Sequence, residues 1–374
     1  MDKLLFTPGP LNTSETVKSA MLRDLGSRDT EFIRMVREIR EQLLGIAGLT
    51  PDDGYEVVLM QGSGTFGIES VISSTLPGEG TLLLIINGHY VERMSRMASV
   101  HQLNVVELRY DENEIPRTAD ISEVLKENHQ ITHVAMVHCE TTTGILNPVE
   151  EIGKLVKSFG KRLIIDAMSS FGALPLSLRE AGIHFLISSS NKCIEGIPGF
   201  SFILAEREAL EECRGLSRTV SLDLYEQWKG LETNGQFRFT PPVQALMAFR
   251  QAQKELVAEG GLEERRKRYA ANHRILLEGM IKMGFDPYID PEHQAPIITT
   301  FLNPKDQAFD FQKFYNELNN RECVIYPGKL THADSFRIGN IGQLHSGHIH
   351  TLLDAIGEVV REMGLRSCSG TRQV

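Results

Sequence analysis

The sequence predicts an α/β protein in which helices sandwich a mostly parallel sheet of seven strands, followed by a smaller α+β unit. Short apolar runs alternate with helical patterns from about residue 55 to 205, and several runs, such as Leu82–Ile86, are apolar throughout. Continuously apolar strands are typical of a sheet that is covered on both faces. The smaller unit is indicated by a change of pattern after residue 240, where long helices precede short strands.

Seven short apolar runs supply the predicted strands of the large sheet. They are Glu56–Met60, Thr81–Ile86, Val105–Leu108, His133–His138, Arg162–Asp166, His184–Ser188 and Phe200–Ala205. Helical patterns lie between them, among them Thr65–Leu76, His89–Leu103 and Pro148–Phe159. Such alternation predicts right-handed crossovers, with ligands bound at the carboxyl ends of the strands.

The C-terminal part starts with two long helical patterns, at Pro242–Glu259 and Leu262–Met283. Strand-like and helical segments follow, in the order Ile297–Leu302, Phe309–Asn319, Val324–Tyr326 and Ser335–Ile338. The last helix carries one apolar stripe at helical spacing, made of Ile349, Leu352, Leu353, Ile356, Val359, Val360 and Met363. The polar residues 366–374 are expected to form a disordered tail.

The composition disfavours several classes of protein. Hydrophobic residues make up 41% of the 374 residues and charged residues 24%, which argues against general disorder. The chain has 39 basic and 49 acidic residues, and the net charge of −10 disfavours non-specific nucleic-acid binding. Five scattered cysteines indicate reduced thiols. Because the N-terminal apolar run is too short for a signal peptide and no apolar run approaches the ~18 residues of a membrane span, we expect a soluble, cytoplasmic protein with no membrane partner.

A glycine-rich turn, Gln61–Thr65, follows the first predicted strand and precedes a helix. The free backbone N–H groups of such a turn can hold a phosphate. The turn matches neither the P-loop nor the dinucleotide-binding pattern. In isolation, an ordinary strand-to-helix turn is therefore the favoured interpretation.

Two further residues are candidates for the same site as this turn. Asp166 ends one predicted strand, where it would face a ligand crevice, although a helix-cap or turn role fits it equally well. Lys192 follows another strand among small residues, where a desolvated amine could form a Schiff base, whereas most lysines are surface charges. An anion-binding turn, an acid and a lysine at successive strand ends are the three parts of a pyridoxal phosphate site.

Ten short stretches of the chain resemble the class V, fold-type I aminotransferases, which depend on pyridoxal 5'-phosphate. They are Thr7–Pro10, Gln61–Thr65, Asn87–Tyr90, His138–Gly144, Asp166–Gly172, Ser190–Gly196, Ser221–Tyr225, Arg238–Thr240, Tyr326–Lys329 and Arg337–Gly342. The resemblance runs from about Lys3 to Met363. It implies a large cofactor-binding domain at residues 15–258 and a small domain formed by residues 1–14 and 259–365.

The resemblance also implies roles for individual residues. Lys192 would form the Schiff base with the cofactor, and Asp166 would pair with the pyridinium nitrogen. The other implied cofactor-binding residues are Ser63, Gly64 and Thr65 at the phosphate, Tyr90 on the ring face, Thr141 or Thr142 near the ring oxygen, Asn191 near the phosphate, and Thr240. Thr240 would reach the neighbouring subunit's phosphate, which implies a homodimer with active sites at the subunit interface.

Two arginines are candidates for binding the substrates. Arg337 matches the arginine that holds the substrate carboxylate in this family, and its planar guanidinium suits a carboxylate or a phosphonate. Arg28 would help to hold a phosphonate if it faces the site. A surface position at the start of a helix is an equally good interpretation of Arg28.

Within the family, the resemblance is strongest to members that move the amino group of 2-aminoethylphosphonate to pyruvate by a ping-pong cycle, giving phosphonoacetaldehyde and L-alanine. One alternative is an aminotransferase of the alanine–glyoxylate or serine–pyruvate kind. Others are a pyridoxal phosphate lyase or regulator of the same fold, and a phosphate-binding protein without the cofactor. We expect no metal site, because His345, His348 and His350 are more typical of solvated side chains at a helix start.

Overall fold

The structure is a computed structural model that describes residues 2–370. Its helices are α1 (Glu15–Ser19), α2 (Thr30–Ile46), α3 (Gly64–Thr75), α4 (His89–Val100), α5 (Thr118–Glu127), α6 (Val149–Ser158), α7 (Arg207–Glu212), α8 (Leu224–Asn234), α9 (Val243–Glu259), α10 (Leu262–Lys282), α11 (Phe311–Asn320) and α12 (Ser346–Met363). Its strands are β1 (Leu4–Leu5), β2 (Tyr55–Gln61), β3 (Thr81–Ile86), β4 (Asn104–Arg109), β5 (Ile131–Val137), β6 (Cys139–Glu140), β7 (Ile145–Leu146), β8 (Arg162–Asp166), β9 (Phe185–Ser189), β10 (Phe200–Glu206), β11 (Ile298–Leu302), β12 (Cys323–Val324), β13 (Tyr326–Pro327) and β14 (Ser335–Gly339).

The central sheet contains seven strands in the order β2-β10-β9-β8-β5-β3-β4. Strand β10 is antiparallel to both of its neighbours, and the other neighbouring pairs are parallel. Six strands therefore run in one direction, and their carboxyl ends share one edge. The predicted mostly parallel, seven-stranded sheet is confirmed, and each predicted strand is present with ends that shift by at most two residues.

Burial explains why the inner strands are apolar throughout. Every residue of β3 and of β9 is buried, because helices cover the sheet. Helix α3 packs against β9 and β10, α4 against β3, and α6 against β8. The edge strand β4 has a single neighbour, and its residues are exposed or half-buried.

Helix α2 is not among the helices predicted from sequence. The Asp29 carboxylate caps it by accepting a 2.7 Å hydrogen bond from the Glu31 N–H. Its buried residues include Phe32, Val36 and Ile39, which recur at helical spacing. Both signals are present in the sequence, so this helix could have been predicted.

A hydrophobic cluster separate from the one around the large sheet fills the C-terminal unit. Strands β11, β14 and β13 form an antiparallel sheet there. The ring of Phe336 lies 5.4 Å from that of Phe314 and 5.7 Å from those of Phe285 and Phe301, centroid to centroid. Strand β1 pairs in parallel with β12, so the start of the chain joins this unit.

Residues 366–370 differ from the expected disordered tail. The N–H groups of Arg366 and Ser367 donate to the Asp306 carboxylate at 2.8 and 3.3 Å, and Cys368 is buried. The hydrogen bonds to Asp306 and the burial of the Cys368 side chain hold this segment against the rest of the protein. Residues 371–374 lie outside the described residues.

Within residues 2–370, no helix combines the length and the apolar character needed to cross a membrane. The five cysteines are all buried free thiols.

Candidate active site

A pocket opens at the edge of the sheet where the six co-directional strands end. Eight of the residues predicted from sequence line it, namely Ser63, Gly64, Thr65, Tyr90, Thr141, Asp166, Asn191 and Lys192. They follow or end five different strands, β2, β3, β5, β8 and β9. The parallel sheet thus brings together residues that are far apart in the sequence, as expected for strand ends.

The glycine-rich turn presents backbone donors to this pocket. Strand β2 ends at Gln61 and α3 begins at Gly64, with Ser63 extended between them and no side chain capping the helix. The Phe66 N–H donates to the Ser63 carbonyl at 2.9 Å. The N–H groups of Gly64 and Thr65 have no acceptor among residues 2–370. Together with the positive end of the helix, they form a binding site for an anion.

Asp166 occupies the last position of β8 at the floor of the pocket, where it is 4% exposed. Its Oδ1 accepts a hydrogen bond from the Met168 N–H at 2.9 Å, and Oδ2 has no partner in the described chain. Burial raises the pKa of Asp166 to about 6, against the lowering effects of the Met168 N–H and the Lys192 charge. A cationic ring nitrogen is the kind of group that would pair with the free oxygen.

Lys192 follows β9, the strand next to β8, and its side chain lines the pocket. Its Nζ donates to the Pro8 carbonyl at 2.8 Å, so the N-terminal segment holds the ammonium in place. Part of the side chain stays open to the pocket. Its depth in the protein nevertheless lowers the pKa of Lys192 to about 8, which leaves a fraction of the amine neutral near physiological pH.

The thiol of Cys193, the residue after Lys192, is buried and fills space in the core. Cys193 Sγ lies 3.2 Å from the Ser169 carbonyl and has no exposed surface. Burial raises the pKa of Cys193 to about 12, so the nucleophilic thiolate is not formed near neutral pH.

Glu140 forms hydrogen bonds with two residues at one side of the pocket. It is not among the site residues predicted from the sequence. Its carboxylate accepts hydrogen bonds from the Tyr90 N–H at 3.1 Å and from the N–H and hydroxyl of Thr142 at 3.0 and 2.7 Å. Burial raises the pKa of Glu140 to about 7. The hydroxyl of Thr142 is therefore committed to Glu140, whereas Thr141 lines the pocket. An acid two residues after the predicted strand His133–His138 was the available signal.

Arg337 comes from the C-terminal unit, on β14, and is 3% exposed. Its Nε donates to the Pro327 carbonyl at 3.0 Å and its Nη1 to the Thr141 carbonyl at 2.9 Å. Burial lowers the pKa of Arg337, although guanidinium remains charged in proteins. The hydrogen bond to Thr141 places the Arg337 guanidinium next to a residue that lines the pocket.

Four predicted site residues do not line the pocket: Thr142 and Arg337, which contact residues at its wall, and two that lie outside the pocket of a single chain. Arg28 is exposed in the turn just before α2. Thr240 is also exposed, and its carbonyl accepts a 3.4 Å hydrogen bond from Gln61 Nε2. Thr240 is thus held close to the glycine-rich turn without entering the pocket.

Arg93 is a further pocket residue that was not predicted. It lies one turn after Tyr90 on α4, and its Nη1 donates to the Thr65 hydroxyl at 3.0 Å. Its guanidinium carbon lies 4.9 Å from the centroid of the Tyr90 ring. A basic residue three positions after an aromatic one on a helix would have been the signal.

Two histidines at the start of α12 form a hydrogen bond that caps the helix. The His345 N–H donates to His348 Nδ1 at 3.1 Å. Across residues 2–370, no group of three or more His, Cys, Asp or Glu side chains is arranged as a metal site.

The arrangement has a definite chemical capacity. It combines an amine with a lowered pKa, a buried carboxylate with one free oxygen, an anion-binding turn and a fixed guanidinium. Such a set can hold a phosphorylated ring compound, form a Schiff base with it, and bind an anionic substrate beside it.

Comparisons with known proteins agree with this chemistry. Residues 12–329 match the family model of the class-V aminotransferases. Two similar curated proteins, from Phocaeicola vulgatus and Bacillus cytotoxicus, are named 2-aminoethylphosphonate–pyruvate transaminase. Each is 48% identical over 96% of this chain, which corresponds to 99% and 98% of the respective relative.

Solved structures of aminotransferases share the fold. The pyridoxamine–pyruvate aminotransferase from Mesorhizobium loti superposes with a TM-score of 0.89 at 22% identity, covering 98% of this chain and 94% of that protein. The alanine–glyoxylate aminotransferase from Nostoc sp. has a TM-score of 0.88 at 25% identity, with 96% of both chains covered.

Proposed function

The chain belongs to the class-V aminotransferase family, and on that premise we propose that this aminotransferase moves the amino group of 2-aminoethylphosphonate to pyruvate, giving phosphonoacetaldehyde and L-alanine. The observation that carries the choice of substrates is the 48% identity, over nearly the full chain, to proteins named for this reaction. The pocket supports amino transfer itself, since its lysine, acid and anion-binding turn meet at one edge of the sheet.

The cofactor we propose is pyridoxal 5'-phosphate, which when bound supplies an aldehyde that exchanges amino groups and a ring that withdraws electrons. Three features of the pocket fit it. The free N–H groups of Gly64 and Thr65 match a phosphate, the free oxygen of Asp166 matches a ring nitrogen, and the Lys192 amine matches the aldehyde. Tyr90, Thr141, Asn191 and Ser63 line the space between these groups.

The chain's own side chains then have separate tasks. We assign to Lys192 Nζ the transfer of a proton at the amine-bearing carbon of the substrate, a task that a pKa of about 8 suits near neutral pH. Asp166 provides the negative charge that keeps a ring nitrogen protonated. Arg337 binds the anionic group of either substrate, the phosphonate in one half-reaction and the carboxylate in the other.

We also propose a homodimer in which Thr240 serves the pocket of the neighbouring subunit. Thr240 is exposed, and so are two rings near the pocket, Phe66 at 50% and Phe239 at 47%. Exposed aromatic rings beside a pocket favour cover by a second copy. Light scattering of the purified protein tests this assembly, and a monomer at micromolar concentration would contradict it.

The domain division proposed from the sequence is supported by the packing. One hydrophobic cluster extends from Val17 to Ala252, and another joins Phe6 to residues between Leu276 and Cys368. We therefore propose residues 15–258 as the cofactor domain and residues 1–14 with 259–365 as the small domain. A cytoplasmic location is proposed from the free thiols.

A substrate panel on the purified protein tests the proposed reaction. Formation of L-alanine from 2-aminoethylphosphonate and pyruvate is the expected result. Turnover of alanine with glyoxylate, without any turnover of 2-aminoethylphosphonate, would contradict the choice of substrates. Conversion of the visible cofactor spectrum by the amino donor alone distinguishes an aminotransferase from a lyase of the same fold.

A further inference from the structure

Three cationic side chains lie in the wall of the pocket or close to it. They are Arg93, Lys329 and Arg337, and none of them has a carboxylate oxygen within 4.0 Å among residues 2–370. The chain as a whole carries a net charge of −10. A cluster of cations without carboxylate partners beside a pocket is a place where an anionic ligand can supply the negative charge.

Two of the three cations are already engaged by neutral acceptors. Arg93 donates to the Thr65 hydroxyl at 3.0 Å, on the side of the anion-binding turn. Arg337 donates to the carbonyls of Pro327 and Thr141 at 3.0 and 2.9 Å. These contacts fix the direction of each guanidinium, but they leave both positive charges uncompensated.

Lys329 is the cation that remains without such a partner. No hydrogen bond or ion pair holds its ammonium within the part of the chain that the structure describes. Its backbone is nevertheless fixed, because Tyr326 pairs with Arg337 across the sheet and the Gly328 N–H donates to the Ser335 carbonyl at 2.8 Å. A Cβ at Gly328 would lie 2.0 Å from Ser335 Oγ, so this turn requires glycine.

The turn keeps the exposed side chain of Lys329 close to the two arginines. Lys329 lies two residues beyond Pro327, whose carbonyl accepts the Arg337 Nε–H. Partial burial and the charges of Arg337 and Arg93 lower the pKa of Lys329. Burial and the charges of Lys329 and Arg93 also lower the pKa of His89, at the start of the helix that carries Tyr90. The three cations therefore lie close enough to act on one another.

The carboxyl group of Glu140, which acts on Lys329, is a poor counterion. Glu140 has three hydrogen bonds to Tyr90 and Thr142, and burial raises its pKa to about 7, so it is only partly ionised near neutral pH. A carboxylate substrate carries one negative charge, which the Arg337 fork can match alone. A phosphonate resembles a phosphate monoester, which carries close to two negative charges near pH 7.

We propose that Lys329 binds the phosphonate of the amino donor and supplies the second positive charge that distinguishes a phosphonate from a carboxylate. This assignment deepens the proposed function and rests on it. Arg337 serves both half-reactions, whereas Lys329 matters mainly for the phosphonate half. One pocket can then accept both substrates and still favour 2-aminoethylphosphonate over carboxylate amino donors.

The test compares Lys329→Met and Lys329→Arg with the unchanged holoenzyme, and uses Lys313→Met, at an exposed lysine of the C-terminal unit, as the matched control. Half-reactions are followed by the cofactor spectrum with 2-aminoethylphosphonate or with L-alanine. We expect Lys329→Met to weaken apparent binding of 2-aminoethylphosphonate by about tenfold or more, and that of L-alanine by less than about threefold. Lys329→Arg should retain most of the preference.

A second measurement needs no turnover. Ethylphosphonate and propionate, which differ in the anionic group, are titrated as competitive inhibitors of the same variants. Loss of affinity for ethylphosphonate alone in Lys329→Met supports the assignment. Equal loss for both inhibitors, no loss for either, or the same loss in Lys313→Met would overturn it. Failure of the unchanged enzyme to use 2-aminoethylphosphonate, while it uses alanine with glyoxylate, would instead overturn the proposed function.

Discussion

The ammonium of Lys192 donates a 2.8 Å hydrogen bond to the carbonyl of Pro8, so the first residues of the chain hold the amine of the candidate active site. The contact depends on the next residue, Gly9, whose φ is +113°. A Cβ at Gly9 would lie 2.9 Å from both Cδ and Nζ of Lys192. The N-terminal segment can approach the lysine only because this residue has no side chain.

We therefore expect Gly9→Ala to impair catalysis as well as folding. The added methyl group displaces the lysine amine and should lower kcat by about tenfold or more, since small misplacements of reacting groups are costly. The positive φ adds a destabilisation of about 1–2 kcal/mol. Steady-state kinetics and urea denaturation measure the two effects separately.

Gly48→Ala is the matched control for this substitution. Gly48 has a φ of +69°, and no atom lies within 4 Å of a Cβ built there. Its substitution should cost similar stability and leave turnover unchanged. Full activity in Gly9→Ala would show that the lysine tolerates the methyl group, and the positioning by the N-terminal segment would then be wrong.

Lys192→Ala removes the only group that we assign to both the cofactor bond and the proton transfer. Turnover should fall by at least about a hundredfold, the usual loss for a general acid–base group. The visible absorbance of the covalent lysine–cofactor bond should disappear after free cofactor is removed. Lys254→Ala, at an exposed lysine of α9, should retain both properties. Persistence of the band in Lys192→Ala without an added amine would contradict the Schiff-base assignment.

Strand ends account for what the sequence could predict of this site. Asp166 and Lys192 could be placed because Asp166 ends one apolar strand, Lys192 comes three residues after another, and the ends of parallel strands share one edge. The family expectation is confirmed by the match to residues 12–329. The individual roles of the site residues stay predictions.

The features of the site that the sequence could not predict depend on contacts between segments that are far apart in the chain. Whether Thr141 or Thr142 faces the pocket depends on the turn that commits the Thr142 hydroxyl to Glu140. The approach of Pro8 to Lys192, and of Arg337 to Thr141, depends on how the C-terminal unit packs on the large sheet. Neither packing arrangement leaves a periodic pattern in the chain.

Glu140 should make stability depend on pH. Burial raises its pKa in the folded protein from the usual 4.5 to about 7. A raised pKa means that the folded state binds the proton more tightly than the unfolded state. The associated stability is present below about pH 4.5 and is lost as the pH rises through about 7.

Glu140→Gln removes this titration and keeps an oxygen that can accept hydrogen bonds. Between pH 5 and 8, the free energy of unfolding of the cofactor-free protein should fall by up to about 3 kcal/mol more in the unchanged chain than in the variant. Urea denaturation at both pH values measures this difference. Parallel pH profiles for the two proteins would mean that the carboxyl group titrates normally.

Glu195 links the loop that carries Lys192 to the C-terminal unit. Its Oε1 accepts hydrogen bonds from Arg268 Nη2 at 2.7 Å and from the Tyr269 hydroxyl at 2.5 Å, and its Oε2 accepts one from Gln343 Nε2 at 2.6 Å. Its backbone N–H donates to the Lys192 carbonyl at 2.7 Å. Removing a buried partner of an ion pair commonly costs about 3–5 kcal/mol.

We expect Glu195→Gln to destabilise the protein by about 3 kcal/mol in urea denaturation, because it leaves a buried arginine charge uncompensated. Glu263→Gln, which breaks an exposed pair with Arg266, should change stability little.

Glu195→Gly separates the carboxylate from the backbone, since Glu195 has a φ of +65° that glycine adopts without strain. If the ion pairs dominate, this variant is destabilised about as much as Glu195→Gln. A glycine variant more stable than the unchanged chain would show that backbone strain outweighs the ion pairs, and the link through Glu195 would then not stabilise the fold.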